Sequence, residues 1–130
     1  MAYVTIKCGR AFIATKADSP SMYTLGHCLT DDIRSGSKRI AWILDDRYDI
    51  TSSNRTFMEK FDGMVGVGDL FTEDPKEAAL IVPIPAMIDL LEQWDEICKT
   101  NPEEVTIYYE NEKFRIETKE RDHGICNNKI

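Results

Sequence analysis

The chain has 130 residues, of which 42% are hydrophobic and 30% charged, and its formal net charge is -7. That length suits a single core, and the composition excludes wholesale disorder, a collagen-like repeat, a coiled coil and a disulfide scaffold. The acidic balance argues against binding nucleic acid or an anionic membrane surface, both of which call for clustered Lys and Arg, and is compatible with a basic partner.

The first residues, Met1–Lys7, alternate apolar and polar side chains where a signal peptide would have a continuous apolar stretch. The longest apolar runs, Ile40–Leu44 and Ala78–Ile84, fall well short of the about 20 residues that span a bilayer. Cys8, Cys28, Cys98 and Cys126 form no Cys-x-x-Cys pair and read as reduced thiols, most of them packed as small apolar groups. The expected compartment is the cytoplasm.

Tyr3–Cys8 and Ala11–Thr15 read as a hairpin about Gly9-Arg10, with Ile6 opposite Ile13 and Cys8 opposite Ala11. Asp18–Ser21 breaks the chain. From Met22 to Gly36 the pattern is mixed: Leu25, Cys28, Leu29 and Ile33 keep helical spacing, while Gly26 and Asp31-Asp32 oppose it. Arg39–Leu44, short, apolar and partly β-branched, reads as a buried strand. Thr51–Asn54 resembles a cap, after which Phe57, Met58 and Phe61 mark one face of a short helix. Asp62–Asp69, rich in glycine, reads as a turn or loop.

Leu80–Pro83 is a short apolar strand, and Pro85 suits the first turn of a helix. Met87, Ile88, Leu91, Trp94 and Cys98, widened by Leu90 and Ile97, make an amphipathic stripe from about residue 86 to 99. Asn101-Pro102 stops it. Val105–Glu110 and Lys113–Thr118 follow as a hairpin around Asn111-Glu112. That register sets Tyr109 against Phe114 and Ile107 against Ile116 on one face, with Glu110–Lys113, Tyr108–Arg115 and Thr106–Glu117 on the other.

The fold class expected is a single α+β domain over residues 1–118. Its antiparallel or mixed sheet contains Tyr3–Cys8, Arg39–Leu44, Leu80–Pro83 and the C-terminal hairpin, packed against the Pro85 helix and one or two shorter ones. Residues 119–130 are expected to form a polar, frayed tail.

Chemistry is sparsely signalled. His123 and Cys126, with His27-Cys28 as a second pair, give poor ligand spacing for zinc, and no metal or cofactor is expected. Two histidines and no Gly-x-Ser-x-Gly elbow leave little for nucleophilic catalysis; an enzyme using His27 with Cys28 or a carboxylate remains an alternative. Gly63–Gly68 matches no phosphate-binding loop and is followed by Asp69, Glu73 and Asp74.

The distribution of charge is more informative. Residues 1–60 hold nine Lys/Arg against seven Asp/Glu, whereas residues 61–130 hold seven against sixteen. Between Asp62 and Glu112, thirteen acids face only Lys76 and Lys99. Asp89, Glu92 and Glu96 lie at i, i+3 and i+7 on the Pro85 helix without Lys partners at i+4. Asp95 and Glu96 also stand near its C-terminus, where the macrodipole disfavours negative charge. A solvated face is the plain explanation; a surface for a basic protein is the functional one.

The stretch Leu80–Glu117, 38 of the 130 residues, resembles the C-terminal part of small bacterial immunity proteins of contact-dependent growth inhibition and related polymorphic toxin systems. The shared pattern is a short strand ending in Pro, a helix with Leu-Leu-Glu-Gln-Trp, an Asn-Pro-Glu-Glu stop and a hairpin with an Asn-centred turn. The resemblance implies a non-enzymatic cytoplasmic inhibitor that binds and occludes a cognate toxin, commonly a basic nuclease domain. It assigns no binding residues. From the charge argument alone, the expected contacts are Glu73, Asp74, Asp89, Glu92, Glu96, Glu103 and Glu104. An adaptor or secretion chaperone using the same acidic face is a further alternative.

Overall fold

The structure is a computed structural model that describes residues 2–121. Alternating burial shapes the first sheet. In β1 (Ala2–Lys7), Val4 and Ile6 are fully buried, as are Val105 and Ile107 in β7 (Glu104–Glu110). With β2 (Ile13–Ala17) and β8 (Lys113–Lys119) the order is β2-β1-β7-β8, every pair antiparallel. The β7–β8 hairpin pairs Tyr109 with Phe114 and Ile107 with Ile116, the register that its two-residue turn requires.

The second sheet has the order β3-β4-β5-β6, from β3 (Ile50–Ser52), β4 (Thr56–Phe61), β5 (Met64–Asp69) and β6 (Leu80–Pro83). This corrects the expected single sheet: Leu80–Pro83 pairs with β5, away from the first strand and the C-terminal hairpin. It also replaces the helix expected at Phe57–Phe61 and the loop expected at Asp62–Asp69. Only Asp62 and Gly63 turn, both at positive φ. Met58 faces the core while Phe57 and Phe61 take the opposite side of β4, a period of two rather than one helical stripe.

Five helical segments complete the described residues. Ser19 caps α1 (Pro20–His27) by accepting the Met22 N–H, and a π-helical turn over Cys28–Asp32 extends it. There the Ile33 N–H reaches the Cys28 carbonyl at 2.9 Å. The turn delivers the Asp32 carboxylate to the start of β4, where it accepts from the N–H groups of Arg55 and Thr56 and from the Thr56 hydroxyl. After α3 (Pro75–Ala78), α4 (Ile84–Thr100) ends on Asn101 in the left-handed conformation.

Arg39–Leu44, expected as a buried strand, belongs instead to α2 (Gly36–Leu44). Tertiary partners at both ends explain the difference. Ser35 accepts the Lys38 N–H, and Asp95 accepts the N–H groups of Gly36 and Ser37 at 2.6 and 3.0 Å. At the other end Lys60 donates to the carbonyls of Trp42, Ile43 and Asp45 and lies over the Trp42 ring. A cation on the last carbonyls of a helix complements its dipole.

The first hairpin also differs from expectation. Its loop spans residues 8–12, and Lys7 and Ile6 pair with Ile13 and Ala14 after an irregularity at Thr5/Ile6. The longer loop lets Phe12 meet Trp94 edge-on at 5.7 Å. The expected tail begins too early: Lys119 is still in β8, and Arg121 donates to the carbonyls of Cys8 and Asn101. Residues 122–130 of that tail lie outside the described residues.

The helix α1 touches β1 and β2 of one sheet and β5 and β6 of the other, and α4 touches β8 as well as β5 and β6. One apolar core therefore runs through both sheets, with Met22, Leu25, Met87, Leu90, Leu91 and Trp94 at its centre. The protein is a single α+β domain. Among the described residues no helix is long and apolar enough to cross a membrane.

Helix α2 crosses α4 so closely that a Cβ on Gly36 would run into the Leu91 carbonyl oxygen and stand 2.9 Å from Asp95 Oδ1. Alanine normally favours a helix over glycine. Here Gly36→Ala is expected to destabilise by about 1–3 kcal/mol through overpacking, read by urea denaturation; equal or higher stability would contradict the packing described.

Candidate partner-binding surface

The helix α4 turns Ala86, Met87, Leu90, Leu91, Trp94 and Ile97 inward. Positions 89, 92 and 96 therefore face solvent, and Asp89, Glu92 and Glu96 are all exposed. The three carboxylates make a ridge about 10 Å long at 1.5 Å per residue. Asp89 accepts from the Gln93 amide at 2.8 Å, and Glu96 pairs with Lys99 at 3.3 Å. Both partners of that ion pair are more than two-thirds exposed, so it is worth little in energy. Among the described residues Glu92 has no hydrogen-bond or ion-pair partner.

The other four expected contacts belong to other elements. Glu73 and Asp74 precede α3, which packs on α1 and β5, and Asp74 caps that helix by accepting the Glu77 N–H at 3.2 Å. Glu104 opens β7 and Glu103 immediately precedes it, shortly after the C-terminal end of α4. Glu103 lies 3.2 Å from Lys119, while Glu104 stands opposite both Lys7 and Lys119 in the sheet. Three of the seven expected contacts stand in a row on one helix.

Asp95 resolves the objection raised by the macrodipole. Its charge sits at the positive N-terminus of α2, where both carboxylate oxygens accept backbone N–H groups. The unfavourable end of one helix is the favourable end of the next.

Glu112, outside the expected contacts, lies beside Asp89 in the lining of one cleft. Asn111 and Glu112 have φ of 53° and 62°, both left-handed, as a two-residue type I′ turn demands. Glycine is the usual second residue, so glutamate there carries strain. The turn overhangs a cleft of about 480 Å³ lined by Pro83, Pro85, Asp89, Asn111, Glu112 and Lys113. The sequence carried the signal: a two-residue turn with Glu in second place.

The alternative centre is built differently. His27 stacks on Tyr23 at 5.9 Å and lines a cleft of about 440 Å³ with Asp18 and Asp69. Burial, followed by the charge of Arg55, holds its imidazole below the usual 6.5. The adjoining Cys28 thiol is fully buried, and that burial pushes it up to about 11. Such a thiol is closed to solvent and protonated at neutral pH. Among the described residues no group of three His, Cys, Asp or Glu is placed to hold a metal ion; His123 and Cys126 lie outside them.

Comparison with protein-family models, with curated proteins and with solved structures found no match to the chain.

Two substitutions separate structural carboxylates from exposed ones. Asp95→Ala removes the acceptor for two N–H groups and is expected to cost about 1–2 kcal/mol. Glu112→Gly relieves the turn and is expected to gain about 1 kcal/mol. Chemical denaturation reads both, and the opposite sign in either case would refute the assignment.

Proposed function

We propose that the chain is a neutralising partner of a basic toxin domain, an immunity-type inhibitor that meets its target through the exposed ridge of α4. The observation that carries this reading is the row of Asp89, Glu92 and Glu96 on a helix whose opposite side is locked into the core. A rigid line of negative charge with one weak internal counter-ion is matched by a basic surface, and such complementarity speeds encounter and sets specificity. Glu112 lines the same cleft as Asp89, with Lys113 beside it. The resemblance of Leu80–Glu117 to immunity proteins covers the strand, the helix and the hairpin that build this region.

The test is growth protection and direct binding against the basic toxic domain encoded in the neighbouring reading frame. The triple variant Asp89→Lys, Glu92→Lys, Glu96→Lys is expected to lose protection and to associate about tenfold more slowly or worse at low salt. Glu73→Lys should behave as the parent chain. Protection and association that are indifferent to the triple reversal, or the absence of any protection, would defeat the proposal.

A further inference from the structure

The second sheet has an outer face that the core does not use. Met58, Val65, Val67, Leu80 and Val82 point inward and are buried. By alternation the outer positions of a half-solvated antiparallel sheet should be polar. Instead Ile50, Phe57, Phe61, Met64 and Ile81 share that side, aligned by the pairings Ile50–Glu59, Glu59–Gly66, Gly66–Ile81 and Phe61–Met64. Ile50 is 58% exposed, Ile81 50% and Phe61 39%.

Two glycines shape this face. The Phe57 ring lies over Gly68, where any Cβ would collide with it, and the edge of Phe61 comes within 3.3 Å of the Cβ position of Gly66. The rings and Ile81 enclose a groove of about 180 Å³ whose floor is bare backbone. Glu59 stands on its wall, midway between Phe57 and Phe61 along β4. Its cross-strand neighbours, Ile50 and Gly66, offer no charge or hydrogen-bonding side chain, and among the described residues it has no ion-pair partner.

We propose that this face docks a second protein that inserts a Lys or Arg side chain from apolar surroundings, its cation on Glu59 and its stem between Phe57, Phe61 and Ile81. A lone carboxylate ringed by exposed apolar side chains selects that chemistry, because long basic side chains carry an apolar stem beneath the charge. A second copy of this chain is the poorer occupant. Face-to-face pairing about a two-fold axis would set Glu59 against Glu59 and oppose two molecules of net charge -7. This proposal concerns a different side from the α4 ridge and stands independently of the toxin reading.

The test uses the full chain, 15N-labelled, titrated with 2-phenylethylguanidinium and with its neutral isostere 2-phenylethylurea. The cation is expected to shift the amide resonances of Glu59, Gly66, Gly68 and Ile81 and to bind at least tenfold more tightly than the urea. Glu59→Gln, an exposed substitution that leaves the apolar ring intact, should remove that preference, and Ile81→Ser should weaken both probes. Equal binding of the two probes, shifts confined to the α4 ridge, or no binding at all would overturn the proposal. So would a concentration-dependent dimer in sedimentation that Ile81→Lys dissolves.

Discussion

Two sheets in this protein bury their apolar faces against the same pair of helices, and that sharing governs the rest of the architecture. With β1, β2 and β8 on one side and β5 and β6 on the other, α1 and α4 have little perimeter left for solvent. On α4 the inward set from Ala86 to Ile97 takes most of the circumference. Between Ala86 and Ile97 the exposed positions that remain are Asp89, Glu92 and Glu96, and that strip is acidic. The narrowness of the candidate surface is thus a consequence of how the core is covered, while its sign is a choice of sequence.

The C-terminal third was legible because local and tertiary signals agree there. A 3.6-residue stripe, a Pro in the first turn and an Asn-Pro stop bracket α4, and the register of β7 and β8 follows from which residues can oppose one another. The middle third was misread where they diverge. Ile40–Leu44 has the composition of a strand, yet its helical state is held by Asp95 and Lys60, 50 and more residues and some 20 residues away in sequence, and no local pattern encodes such partners. Phe57, Met58 and Phe61 imitate a helical face because β4 is apolar on both sides. The glycines of β5 looked like a turn because their purpose, making room for rings on the neighbouring strand, is visible only once the strands are paired.

The carboxylates fall into two groups, one fastening the main chain and one reaching outward, as Asp89 also does on the ridge. Asp18, Asp32, Asp69, Asp74 and Asp95 each accept a backbone N–H and fasten a strand, turn or helix end. The short aspartate stem suits this, since its oxygens stay within reach of the main chain. Glu73, Glu92, Glu96 and Glu112 extend outward from the surface instead. A charge count along the sequence adds the two groups together.

The placement of β1 bears on how the polypeptide comes off the ribosome. Its partners in the sheet are β2, a few residues later, and β7, about a hundred residues later. Until the segment around Val105–Tyr109 has been synthesised, one edge of the nascent β1–β2 ribbon has no mate and Val4 and Ile6 have only half their cover. Distant pairings of this kind slow folding and leave an edge open to wrong partners. The first sheet is therefore completed only after about a hundred further residues have followed β1, when β7 closes over it.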